Sequence, residues 1–203
     1  MVEVQNHGFI FENWIKKVLK VESLASKYTQ KWDVPGETPI SVKFMGTINA
    51  LEFGSAVRIW EIYETFTLVI GRWKQVESKK IVKSIDEIDI RPSDLKKMRG
   101  SISIEELKEF DKKIKSFPVG KDGQIKGIEF AKQWKEKRKD QMGLLTITHK
   151  IDSKKQRRVQ CNLNYANYVK LFSPPSMQIE FRGKSFDQGI DHGPRKFNKK
   201  ILL

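Results

Sequence analysis

Two alternating runs meet at a Pro/Gly turn, and no other stretch constrains the fold of this chain so tightly. The segment reads Lys31-Trp32-Asp33-Val34-Pro35-Gly36-Glu37-Thr38-Pro39-Ile40-Ser41-Val42-Lys43. Before the turn, Tyr28, Gln30, Trp32 and Val34 alternate with Lys27, Thr29, Lys31 and Asp33. After it, Ile40, Val42 and Phe44 alternate with Ser41, Lys43 and Met45. Strand side chains point to opposite faces with a period of two. The spacing therefore predicts strands near 27–34 and 40–45, with Trp32, Val34, Ile40, Val42 and Phe44 towards a core. Asp33, Ser41 and Lys43 then turn the other way together.

The remaining patterns predict an α+β, or mixed α/β, chain. Phe11, Trp14, Ile15, Val18 and Leu19 recur at helical spacing, which predicts an amphipathic helix over 8–20. Phe66 to Ile70 is a continuous apolar run, the mark of a strand buried on both faces. Residues 81–90 read as a further strand, and 55–63 fit either state. Ser103 with Glu106 forms a capping box that opens a helix to about Phe117. Gly120 to Gly123 reads as a loop, and 126–142 as a charged helix. Leu144–Ile151 and Arg157–Tyr165 alternate around Asp152-Ser153-Lys154-Lys155-Gln156, which predicts a β-hairpin. Residues 183–203, rich in Gly and basic residues, read as an extended arm.

At 203 residues the chain is expected to form a single domain, in which 126–165 is a basic helix and hairpin. Net charge of +14 points to a polyanionic partner, nucleic acid before anionic membrane. No apolar run reaches the length of a membrane span, so no membrane partner is expected. The one cysteine, Cys161, excludes an internal disulfide or a multi-cysteine zinc site. Its strand neighbours predict a packed thiol, and the expected compartment is the cytoplasm.

A carboxylate and a lysine outside the core suit phosphodiester hydrolysis. That reaction needs phosphate charge neutralised and a water positioned and activated. Asp33 can ligate Mg²⁺, which favours carboxylate oxygens and keeps several waters. Lys43 can hold the attacking water and offset transition-state charge. Glu12 lies at the edge of the apolar helix face and can point towards a cleft. Each residue also has a plainer reading. Glu12 and Lys16 are spaced for an exposed helix ion pair. Asp33 precedes a turn. Lys43 can be a charge that protects a strand edge.

These residues resemble the type II restriction endonucleases with the PD-(D/E)XK nuclease core. In that core a helix-borne Glu precedes a metal-binding Asp, and a (D/E)xK tripeptide lies on the next strand. Glu12, Asp33 and Lys43 match those positions, and the resemblance covers roughly 6–76. It departs at Ser41-Val42-Lys43, where Ser41 stands in place of the motif acid and lies close to Asp33 in sequence. The resemblance implies a restriction-endonuclease-like fold, a mixed sheet flanked by helices. It also implies catalysis by Glu12, Asp33, Lys43 and Ser41, with Mg²⁺ held by Asp33 and Glu12 and by the Val42 carbonyl, for which a direct Ser41 ligand is the alternative. Glu12, Glu37 and Glu52 are the acids available to replace the missing one. The implied activity is cleavage of double-stranded DNA at a short palindrome by a homodimer. A non-catalytic nucleic-acid-binding protein and a repair or junction nuclease are the alternatives.

A basic surface supplies the partner. From Ala131 to Arg158 the chain nets +7, half its total charge. If about six of these cations met phosphates, the log–log salt slope of binding would be on the order of −5. Lys150, Lys154, Lys155 and Arg157 are expected to meet phosphates. Arg158, Gln160, Asn162 and Asn164 share one strand face and carry donors and acceptors that suit base edges. The plainer reading is a solvated hairpin face.

Overall fold

The structure is a computed structural model that describes residues 3–21, 31–76 and 79–172. The expected strand over 27–30 and the arm over 183–203 lie outside those residues. The fold is mixed α+β, as expected, with two three-stranded sheets. Where one domain was expected, the chain divides into two compact units. Of the described residues, the first holds 3–21, 31–49, 65–76, 79–90 and Phe172; the second holds Ala50–Glu64 and Arg91–Leu171.

The first unit contains helix α1 (Glu3–Val18) and strands β1 (Ile40–Gly46), β3 (Phe66–Val76) and β4 (Lys79–Ile90). The sheet order is β1-β3-β4; β1 runs parallel to β3 and β4 antiparallel to it. Parallel neighbours need a crossover connection. Here it is residues 47–65, which carry β2 (Leu51–Ser55) and α2 (Ala56–Trp60) of the second unit. The supposed core over 6–76 is therefore interrupted.

The helical stripe forms as spaced. Phe11, Trp14 and Ile15 are buried against Val42, Val69, Val82 and Ile85. Leu68, Val69 and Ile70 are all fully buried, so the central strand is covered on both faces. Gly71 marks the closest approach of helix and sheet. A Cβ there would lie 2.5 Å from the Phe11 ring, which stacks on Phe44 at 4.9 Å.

Asp33 does not lie in a strand. Among residues 31–34 only Val34 pairs, through a single antiparallel bridge to Ile40. Pro35 follows directly, and Pro39 has no N–H for a longer ladder. Instead the N–H groups of Asp33 and Val34 both donate to the Ile40 carbonyl, at 3.0 and 3.1 Å. Trp32 still packs inward, on Phe66 at 4.8 Å.

The second unit holds α2, α3 (Pro92–Arg99), α4 (Ile104–Ser116), α5 (Lys121–Glu136), β5 (Leu145–Ile151), β6 (Arg157–Leu163) and all but the last residue of α6 (Tyr165–Phe172). The predicted hairpin is β5–β6, but β2 joins it on the far side of β6, giving the order β2-β6-β5. Val159, Cys161 and Leu163 face inward and are buried. Burial pushes the Cys161 thiol well above its ordinary range, as a packed thiol requires. Leu107, Phe110 and Ile114 of α4 are buried, with Phe110 stacked on Trp134 of α5 at 4.1 Å.

The Ser103–Glu106 capping box forms as predicted. Helix α5 begins at Lys121, inside the supposed loop. Its glycines are there for close contact: a Cβ at Gly123 would lie 1.9 Å from the Pro118 carbonyl oxygen. No helix of the described residues is long and apolar enough to cross a membrane.

Candidate active site and nucleic-acid surface

The turn lays Asp33 along the open edge of β1. Its carboxylate Oδ2 accepts the Val42 N–H at 2.6 Å and faces the Ser41 hydroxyl at 3.4 Å. Asp33 thus takes an edge N–H that an added strand would otherwise use. The Lys43 ammonium donates to the Val42 carbonyl at 3.2 Å. Asp33, Ser41, Val42 and Lys43 therefore form one local group, built by a single turn.

Strand register adds residues that the sequence reading passed over. Lys43, Ile70 and Asp86 form one row across the sheet, and Met45, Arg72 and Ser84 form the next. Asp86 shares the Ser41/Lys43 face. It accepts from Arg72 Nε at 3.1 Å, and Arg72 Nη1 donates to the Thr47 carbonyl at 3.1 Å. Both members of this pair are buried. Such a pair anchors β3 to β4, because removing one partner strands a buried charge.

Glu12 stands differently from the other candidates. Its carboxylate pairs with Lys16 at 2.6 Å, and both residues are buried. The spacing for an i, i+4 pair was visible, but an exposed pair was expected. Of the other acids considered, Glu37 is exposed in the turn and Glu52 stands on β2 of the second unit.

The donor set suits Mg²⁺ in a restricted sense. Among the described residues, no three His, Cys, Asp or Glu side chains gather as a metal site. What is gathered is one carboxylate and one hydroxyl, Asp33 and Ser41, beside the Val42 carbonyl, which accepts from the Lys43 ammonium. Mg²⁺ is commonly held by one or two carboxylates, with waters and substrate phosphates completing its shell. The group fits that pattern, with Glu12 engaged by Lys16 rather than offered as a ligand.

The second unit carries the basic surface. Asp152 Oδ1 accepts from the N–H groups of Lys154 and Gln156, each at 2.9 Å, which fixes the hairpin loop. Lys150, Lys154, Lys155 and Arg158 are exposed around it. Lys150 and Arg158 are directly opposite each other in the β5–β6 register. Like charges so placed repel, and a bound anion relieves that repulsion. Gln160 and Asn162 follow on the same face and are half-buried.

Two residues expected to touch DNA are used otherwise. Arg157 is buried, and its guanidinium donates to the carbonyls of Phe117, Pro118, Asp152 and Gln156. It joins the hairpin loop to the end of α4. The Asn164 carboxamide oxygen accepts the Asn167 N–H at 2.8 Å, so it caps α6. Arg157→Ala should cost about 2–3 kcal/mol, as expected when a buried hydrogen-bond network is broken. A thermal melt checks this; an unchanged Tm would show that the carbonyls are satisfied without it.

No protein-family model, curated protein or solved structure matches this chain. The reading of the site therefore rests on its residues and geometry.

Proposed function

We propose that this chain is a Mg²⁺-dependent endonuclease of restriction type, cutting double-stranded DNA at a short palindrome as a homodimer. The observation that carries the reading is the Asp33–Ser41–Val42–Lys43 group. An acid is held at 2.6 Å against the backbone of the strand that presents the lysine two residues after Ser41. DNA binding alone needs no such group, whereas phosphodiester hydrolysis uses each part.

Asp33 provides negative oxygen, with Ser41 and the Val42 carbonyl beside it. Mg²⁺ bound there supplies positive charge against the phosphate. Lys43 is on a flexible stem, so its ammonium can leave the Val42 carbonyl to meet a phosphate oxygen or orient the attacking water. Lys150, Lys154, Lys155 and Arg158 attract the backbone, while Gln160 and Asn162 offer groups to base edges. Two-fold symmetry of a palindrome calls for a two-fold protein.

One observation favours a second reading, a DNA-binding protein without catalysis: among the described residues no three His, Cys, Asp or Glu side chains gather as a metal site. Plasmid incubated with the protein and Mg²⁺ separates the two. The nuclease gives discrete fragments that a chelator abolishes. A retarded but intact plasmid, with Mg²⁺ and with Mn²⁺, would favour the binding protein.

A further inference from the structure

We propose that Glu52 is a base-reading residue, its carboxylate accepting a hydrogen bond from the N4 amino group of a cytosine in the major groove. This rests on the DNA-binding reading of the second unit and names a specificity residue on the same sheet.

Strand β2 makes the reading surface three strands wide instead of two. Glu52, Asn162 and Thr146 form one row across it. Leu51 and Phe53 on either side of Glu52 are buried, whereas Glu52 is exposed. The register shifts between Glu52 and Gly54, and Gly54 takes a left-handed φ of 78°. Glu52 pairs with Asn162 by regular alternation from the buried Leu51–Leu163 pair, ahead of the bulge, and so shares its face. Glu52 and Asn162 stand on adjacent strands about 4.8 Å apart, and a two-stranded width of that kind enters a major groove about 12 Å wide.

The face is therefore polarised. Lys150 and Arg158 lie at one end, and an acceptor-only carboxylate lies at the other. A carboxylate is repelled by phosphates. On a surface that binds a polyanion, the position that suits it is against an amino donor on a base edge, and cytosine N4 is such a donor. Burial raises the Glu52 carboxyl, and Lys150 opposes that rise.

Binding selection from a randomised duplex library tests this, using the full chain and Glu52→Gln without divalent metal. The wild type should enrich cytosine at one position of each half-site. In Glu52→Gln that preference should collapse, with about 10- to 100-fold weaker binding to the selected sequence. Binding to random duplex should be retained or tightened, which also shows that the variant is folded. An unchanged preference, or an equal change on all sequences, would overturn the proposal and leave Glu52 as a charge balancing Lys150. Duplex binding with no sequence preference overturns it while the DNA-binding reading survives. No duplex binding by the wild type removes both.

Discussion

Lys43→Ala should abolish DNA cleavage and leave DNA binding nearly intact. The ammonium is half-buried and donates to a neighbouring carbonyl on its own strand, so its removal exposes no large apolar surface. Removing one preorganised group that stabilises transition-state charge costs on the order of 100- to 1000-fold in rate. The basic surface belongs to the other unit, so affinity should change by less than about twofold, as for one screened surface charge. Single-turnover cleavage beside a gel-shift titration checks both halves. Cleavage at the normal rate would remove Lys43 from the chemistry.

Asp33 should show two separable effects. Asp33→Asn keeps an oxygen for the Val42 N–H but loses the charge. It should fold normally and lose cleavage on the order of 1000-fold or more, a scale typical of groups that stabilise transition-state charge. Asp33→Ala should lose the same activity and also stability. It removes the acceptor of a 2.6 Å bond to the β1 edge. A hydrogen bond to a charged group contributes about 1.5–3 kcal/mol, and a fall in Tm of roughly 3–12 °C follows for a chain of this size. If Asp33→Asn cuts normally while Asp33→Ala merely melts early, Asp33 is a turn residue and not a ligand.

Local patterns were well preserved in the fold. The spacing of Phe11, Trp14 and Ile15 set which face of α1 is buried, and the Ser103–Glu106 box opens α4 where its chemistry requires. Alternation around Asp152–Gln156 gave the β5–β6 hairpin. The nearness of Asp33 to Ser41 was also legible, because few residues separate them across one turn. Its place at the strand edge was not, since Pro35 and Pro39 override the alternation.

What stayed hidden depended on distant segments. Asp86 shares a face with Lys43 only through the register of three strands. Strand β2 joins β6 from more than a hundred residues away, so a hairpin became a sheet and Glu52 entered its open face. Arg157 looks like any other member of a basic run. Only the carbonyls of Phe117 and Pro118, brought in by the end of α4, reveal that it is buried. The spacing of Glu12 and Lys16 was visible, but nothing local signals that both are covered.

The central claim is that the Asp33–Ser41–Val42–Lys43 group cuts DNA at a defined sequence. Sequencing the fragment ends from a long natural DNA digested with the full chain and Mg²⁺ tests it most directly. The account predicts ends that share one short palindrome, and none above background with Lys43→Ala. DNA that is bound by the protein, yet yields no ends above background with either Mg²⁺ or Mn²⁺, would contradict it.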